Sequence, residues 1–202
     1  ARADATLTAG ISMVADASAE GTAATTLTNS GTVQLSAIGN ANSDDGYAAA
    51  EGRIYYGVTQ SADADEGSAT ASITNDAAGK ITLIAQAKAV GTSAEASASI
   101  YDYGISQQAS AVDPENVATA SFTNSGSLSF SALADAVASV DTAEADATLE
   151  SAIYQSATGS VGADAIAEIT NSGTLHVNTK ATAKSAESAS ASATVDYGIY
   201  QA

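Results

Sequence analysis

An internal repeat is the sequence feature that most constrains the fold of this chain. Two short motifs recur in a fixed order along its 202 residues. The first is a polar turn motif, found at 28–32, 123–127 and 170–174, with a looser copy at 74–79. The second is a Tyr-Gly-aliphatic motif ending in Gln, found at 56–60, 103–107 and 197–201, with a diverged copy at 151–155. The Gln residues recur about every 47 residues, which is typical of solenoids and related repeat arrays.

The period divides the chain into one partial unit and four full units. The partial unit is 1–13, and the full units are approximately 14–60, 61–107, 108–155 and 156–202. Residues 4–12 match residues 146–154, so the partial unit corresponds to the end of a repeat. Neither end has the polar capping sequence that a free solenoid terminus needs. We therefore expect this single repetitive domain, 1–202, to belong to a longer protein or assembly.

Alternating apolar or small residues indicate strands, although alanine is the best helix former. After each turn motif, every second residue is apolar or small. These positions are Val33, Leu35 and Ala37; Ile81, Leu83 and Ala85; Leu128, Phe130 and Ala132; and Leu175 and Val177. A period of two is the pattern of a strand with one buried face. The chain is therefore predicted to be an all-β, parallel β-solenoid (β-helix) whose alanines let the walls approach closely.

The repeat length leaves the number of coils per repeat open. One repeat could form a single wide coil of about 47 residues or two coils of about 23 residues each, and the smaller coil is the commoner rung. Two coils per repeat is the favoured arrangement, and it predicts about eight rungs and a length near 40 Å from the usual strand spacing. A single coil per repeat would halve that length and widen the section.

Stacking of the repeats in register would place equivalent side chains in ladders along the solenoid, where amide and aromatic groups support one another. The predicted asparagine ladder contains Asn29, Asn75, Asn124 and Asn171, and the glutamine ladder contains Gln60, Gln107, Gln155 and Gln201. A tyrosine ladder is predicted from Tyr56, Tyr103 and Tyr197. The glycines that recur beside them are Gly31, Gly126 and Gly173 in the turn motif and Gly57, Gly104 and Gly198 in the second motif. We expect the turn motif to use the left-handed backbone conformation that Asn and Gly tolerate.

The charge balance argues against simple electrostatic binding to polyanions. Asp and Glu number 23 against 6 Lys and Arg, a formal net charge of −17, so neither nucleic acid nor anionic membrane is an expected partner. No apolar run is long enough to span a membrane, and direct membrane insertion is not expected. The chain has no Cys, which removes disulfides and thiolate chemistry and fits an extracellular location. Because it opens with Ala1-Arg2-Ala3-Asp4, we expect any export signal to have been removed or to lie outside this fragment.

No constellation of catalytic or cofactor-binding residues is found, and the chain is not predicted to be an enzyme. The single histidine, His176, lies on the outward phase of its strand, where a solvated role is favoured over catalysis or metal binding. The basic residues are scattered along the sequence. Acidic segments at 43–46 and 63–67 are assigned to turns, where structural calcium is the alternative to simple solvation. Their spacing matches neither an EF-hand nor the nonapeptide calcium repeat, so no metal ligand is assigned.

Three segments carry a resemblance to a known group of proteins. Residues 152–159, leading into 169–175, and the segment 197–201 resemble the repetitive passenger regions of bacterial autotransporters and large haemagglutinin-like adhesins. The resemblance implies a right-handed parallel β-helix, export through the outer membrane and display at the cell surface. The strong enrichment in alanine departs from the commoner Gly-, Asn- and Thr-rich passengers.

Three functional hypotheses follow for a chain of this kind. The first is a passive stalk or adhesin shaft on the bacterial surface, and the second is an extracellular filament or matrix protein whose copies stack head to tail. The third is an ice- or glycan-binding face, with a host or surface glycan as partner, formed by outward threonines such as Thr22, Thr25, Thr26 and Thr28. The threonine pattern is irregular between repeats, which makes this third hypothesis the weakest.

Overall fold

The structure, a computed structural model, describes residues 1–18, 21–160 and 162–202. Within these residues the regular secondary structure consists of thirteen β-strands. They are β1 (Arg2–Ala17), β2 (Ala23–Asn29), β3 (Thr32–Asn42), β4 (Tyr47–Ala64), β5 (Ala69–Asn75), β6 (Lys80–Gly91), β7 (Ser93–Ala111), β8 (Val117–Asn124), β9 (Ser127–Ala138), β10 (Thr142–Gly159), β11 (Asp164–Asn171), β12 (Thr174–Lys184) and β13 (Ser188–Gln201). The prediction of an all-β chain is confirmed.

The strands form three parallel sheets. Sheet A has the order β1-β4-β7-β10-β13, sheet B the order β2-β5-β8-β11 read from the first coil, and sheet C the order β3-β6-β9-β12. Each strand from β1 to β10 pairs in parallel with the strand three places further along the chain. Each coil therefore contributes one strand to each sheet, and the predicted parallel β-solenoid is confirmed.

The prediction of two coils per repeat is wrong. Gln60 pairs directly with Gln107 in the neighbouring strand of sheet A, 47 residues further on, and no half-repeat coil lies between them. The reason is the length of the sheet A strands: β4 alone has 18 residues, so one turn around the wide section uses a whole repeat. The five strands of sheet A extend about 20 Å along the axis at the usual strand spacing, half of the predicted length.

The core explains why the chain needs so much alanine. Sheet A forms one wall, and it packs against sheet C along the first half of its strands and against sheet B along the second half. The large side chains, including Ile54, Phe122 and Phe130, lie in the middle of the section, where sheets B and C meet. The two narrow corners on either side are filled by two clusters made entirely of alanine. Alanine is therefore the residue of the corners, where opposite backbones approach too closely for a larger side chain.

The turn glycines do not adopt the left-handed conformation that we expected. Among the described residues, a positive φ occurs at Gly162 (94°) and Asp102 (46°), and not in the turn motif. A Cβ atom at Gly126 would collide with the carbonyl oxygen of Gly79, and one at Gly173 would collide with that of Gly126. Glycine is therefore required here because the turns of successive coils lie directly on one another. Gly31, in the first coil, has open space beside it.

Candidate functional site

The asparagine ladder runs along the corner between sheets B and C. The side-chain amide of Asn29 donates to Oδ1 of Asn75 at 2.8 Å, Asn75 donates to Asn124 at 2.7 Å, and Asn124 donates to Asn171 at 2.7 Å. The same amides also donate to backbone carbonyls, such as that of Lys80 at 3.1 Å from Asn29. Asn75 and Asn124 are almost completely buried, and their polar atoms are satisfied by the ladder and by the turn backbone.

The glutamine ladder runs along the axis, and each of its side chains reaches across the core from sheet A to sheet B. Nε2 of Gln107 donates to Oε1 of Gln60 at 2.9 Å, Gln155 donates to Gln107 at 2.7 Å, and Gln201 donates to Gln155 at 3.0 Å. Each amide also donates to a carbonyl of sheet B, for example from Gln107 to Ser121 at 2.9 Å. Donation runs from the last coil towards the first, the reverse of the asparagine ladder. In β1 the equivalent position is Met13, so the ladder ends at Gln60.

The tyrosine row differs from the predicted one. Tyr56 and Tyr103 are neighbours, with ring centroids 6.4 Å apart. The next rings in the row are Tyr154, 4.5 Å from Tyr103, and Tyr200, 5.5 Å from Tyr154. Tyr197 instead lies edge-on to Tyr200 at 5.9 Å, because its partner in the preceding strand is Ser151. The predicted ladder of Tyr56, Tyr103 and Tyr197 is therefore correct only for its first two members.

β7 contains a one-residue bulge just before Tyr103. Ile54 pairs with Ile100 and Val58 pairs with Ile105, so β7 contains one more residue than β4 between these two pairs. Asp102 has a positive φ of 46°, which is uncommon for a residue with a side chain. Its backbone N–H donates to the Glu150 carboxylate at 3.0 Å, which stabilises the bulge.

The bulge opens a shallow groove of about 410 Å³ on the outer face of sheet A. Its lining residues are Asp102, Tyr103, Glu150, Ser151, Tyr154, Asp196, Tyr197 and Tyr200. One of the carboxylates, that of Glu150, accepts the bulge N–H. The groove thus combines phenol and carboxylate groups that largely stabilise the irregular backbone.

Three phenols of sheet A hold their protons more tightly than a free tyrosine. The hydrogen bond to Asp102 raises the pKa of Tyr56, and burial, followed by Tyr154 and Asp102, raises the pKa of Tyr103. A hydrogen bond to the Glu95 carboxylate raises the pKa of Tyr47. The phenols remain protonated at neutral pH, and that of Tyr47 donates a hydrogen bond to Glu95.

Alkaline pH is expected to destabilise the solenoid. A folded-state pKa above the unfolded value of about 10 gives stability that is complete below about pH 10 and is lost as the pH rises through the folded-state pKa. Urea unfolding between neutral and strongly alkaline pH, together with tyrosinate absorbance, measures this loss. A variant with Tyr47→Phe, Tyr56→Phe and Tyr103→Phe should lose less stability over the same range. An identical pH profile for the variant would contradict the assignment.

Two glycines of the second motif, Gly57 and Gly104, are required for packing. A Cβ atom at Gly57 would collide with the Leu83 side chain, and one at Gly104 would collide with Phe130. The equivalent Gly198, in β13, has no atom within this contact range. These glycines allow the largest side chains of sheet C to reach the inner face of sheet A.

The threonine face proposed for ice or glycan binding is not a single face. Thr22, Thr26 and Thr28 are exposed, but Thr25 is 5% exposed and points into the core with no hydrogen-bond partner for its hydroxyl in the described structure. The reason is that β2 begins at Ala23 with an inward side chain, so Thr25 falls on the inward phase. The hypothesis of a threonine face loses one of its four residues.

The other candidate residues lie apart. His176 is exposed on the outer face of β12, as expected. Asp63 lies within β4 rather than in a turn, because that strand extends to Ala64. In the part of the chain that the structure describes, no three His, Cys, Asp or Glu side chains form a group that could hold a metal ion. The expectation of no cofactor, with structural calcium as the alternative, stays a prediction.

Fold and ladders together define the class of this protein as a wide parallel β-solenoid with one coil per repeat and internal amide ladders. No family model, curated protein or solved structure matches the chain. Within the described residues there is no helix that is both long and apolar enough to cross a membrane.

Proposed function

We propose that this chain is a structural shaft of the bacterial cell surface, the stalk of an adhesin that holds a binding region away from the cell. The observation that carries the proposal is the pair of buried amide ladders. They tie each coil to the next in the direction of the axis, in addition to the hydrogen bonds of three sheets. A body joined in this way at every coil resists bending, which is the property that a spacer needs.

The sequence supports the same proposal. The segments at 152–159, 169–175 and 197–201 resemble adhesin passenger regions, and an acidic chain without Cys is compatible with the extracellular space. Among the described residues, six of the ten buried polar side chains are amides of the two ladders, so much of the polar interior serves cohesion between coils. A glycan or other host ligand would then be bound outside the ladder region.

Location and particle shape test the proposal together. Antibodies raised against the purified chain should label intact, unpermeabilised source cells, and electron microscopy of the native material should show short rods with a layer spacing of about 4.8 Å. Labelling that requires permeabilised cells would contradict a surface shaft. Long rods assembled from this chain alone would replace the shaft with the head-to-tail filament.

Removal of one complete coil is expected to preserve the fold. Deletion of 61–107 joins Gln60 to Gln108, which already occupies the position equivalent to Ser61. The shortened chain should fold and lose about 4.8 Å of length by small-angle X-ray scattering, because each coil contacts only its neighbours. The matched deletion of 61–84 joins Gln60 to the middle of β6 and should prevent folding. Tolerance of this half-repeat deletion would contradict the one-coil architecture.

A further inference from the structure

The outward charges of the solenoid are segregated by sheet. The strands of sheet A carry ten acidic residues and two arginines, whereas those of sheet C carry one acidic residue and four lysines. The acidic residues of sheet A are Asp4, Asp16, Glu51, Asp63, Glu95, Asp102, Glu144, Asp146, Glu150 and Asp196. The lysines of sheet C are Lys80, Lys88, Lys180 and Lys184. The four lysines, which are scattered in the sequence, are thus brought onto one wall.

The lysine wall is available for binding. All four lysines are exposed, and the ion pairs of the described residues, Arg2–Asp4 and Arg53–Glu51, both lie on sheet A. The outer face of sheet C also presents aliphatic side chains between the lysines. These are Ile38, which is 46% exposed, and the partly exposed Ile84, Val90, Leu133 and Val137. The face offers both positive charge, which can pair with an acidic surface, and apolar area, which contact with that surface would bury.

The acidic and basic walls lie back to back. One all-alanine cluster joins the first half of the sheet A strands to the second half of the sheet C strands. Glu95, Glu144 and Asp146 alternate with the sheet A alanines of this cluster, and Lys88 lies between two of its sheet C alanines. At this corner the thin body therefore presents negative charge on one side and positive charge on the other.

We propose that the outer face of sheet C binds the acidic outer face of sheet A of a second copy of this chain, so that shafts associate side by side. The chain itself supplies the flat, acidic surface that the lysine wall requires. Both faces have the same strand spacing along the axis, so rows of charge on the two copies can match over several coils. The contact joins two different surfaces and leaves one of each free, so it can continue from copy to copy.

The net charge of −17 opposes this association through long-range repulsion. The contact therefore depends on local pairing of the two walls and on the aliphatic residues of sheet C. It goes beyond the proposed shaft and stands independently of it, since side-by-side binding can be measured on the purified chain wherever the protein is located.

A charge swap tests the proposal. The variant K88E/K180E/K184E makes both walls acidic. The variant E95K/E144K/D146K places lysines on sheet A as well as on sheet C. Each variant alone should self-associate about tenfold or more weakly than the original chain in analytical ultracentrifugation. An equimolar mixture should recover association, because each variant then supplies the opposite wall for the other. Unfolded protein could not give this recovery, and circular dichroism checks the fold.

The control variant D65K/E66K/D113K makes the same change in net charge as E95K/E144K/D146K, but in the turns between sheets A and B, and it should retain self-association. Three results would overturn the proposal: no self-association of the original chain, variants that associate as strongly as it does, or a mixture without recovery. Lysine-dependent binding of anionic lipid vesicles without self-association would assign the wall to another partner and would likewise overturn it.

Discussion

Replacement of Asn75 by Ala is expected to destabilise the solenoid by about 3 kcal/mol. Asn75 accepts a hydrogen bond from Asn29, donates to Asn124 and also donates to the carbonyls of Gly79 and Ser127. Its removal leaves buried partners on both neighbouring coils without a hydrogen bond, and each such group costs free energy when water cannot replace the lost partner. Urea denaturation followed by circular dichroism measures the loss.

Asn171→Ala is the matched control for Asn75→Ala. Asn171 occupies the same column, but it is exposed, and in the ladder it only accepts from Asn124. Water can replace that bond, so the expected cost is about 1 kcal/mol or less. Equal losses of stability for the two variants would mean that a buried ladder hydrogen bond stabilises the solenoid no more than an exposed one.

Substitutions at Gly104 and Phe130 are expected to have coupled effects on stability, because the two residues occupy adjoining space in the core. Gly104→Ala should cost about 2 kcal/mol, because a Cβ atom would collide with the Phe130 ring and with the Ala152 carbonyl. Phe130→Val should cost about 2 kcal/mol by leaving a cavity in the widest part of the core. In the next coil the equivalent positions hold Ala152 and Val177, so the larger residue in sheet A faces a smaller one in sheet C.

The double variant Gly104→Ala/Phe130→Val should therefore be destabilised by less than the sum of the two single effects. The difference in unfolding free energy should be about 1 kcal/mol or more. A double-mutant cycle on urea unfolding measures this coupling. Gly198→Ala, which meets no neighbouring atom, serves as the control and should be nearly neutral. Strict additivity of the Gly104 and Phe130 effects would contradict the size-matching explanation.

The fold class and two ladders could be predicted from the sequence because they depend on periodicity. Alternation by two at Val33, Leu35 and Ala37 indicates strands, and columns of identical amides indicate parallel stacking. The number of coils could not be obtained in the same way, since a repeat length does not say how many corners a repeat makes. The three turns between strands in each repeat were the available signal, and they mark one triangular coil.

The details that sequence reasoning missed depend on register. The signal of the bulge in β7 is the spacing of five between Ile100 and Ile105, where β4 has four between Ile54 and Val58. The signal of the changed tyrosine row is Ser151, which β10 has in place of a tyrosine. The lysine wall was missed for a related reason. Its four lysines are scattered in the sequence, and they are recognised as one wall only when β6 and β12 are assigned to the same sheet.

The opposite donor directions of the two amide ladders have an electrostatic consequence. Each ladder is a row of aligned amide dipoles, and side chains pointing the same way along a row add their moments as peptide groups do in a helix. Here the asparagine amides donate towards the last coil and the glutamine amides towards the first. The axial dipole moments of the two rows therefore oppose each other. Addition or removal of a coil changes both rows equally. The field at the two tips is thereby kept nearly independent of the number of coils, and a solenoid built in this way can change its length without altering the polarity of its ends.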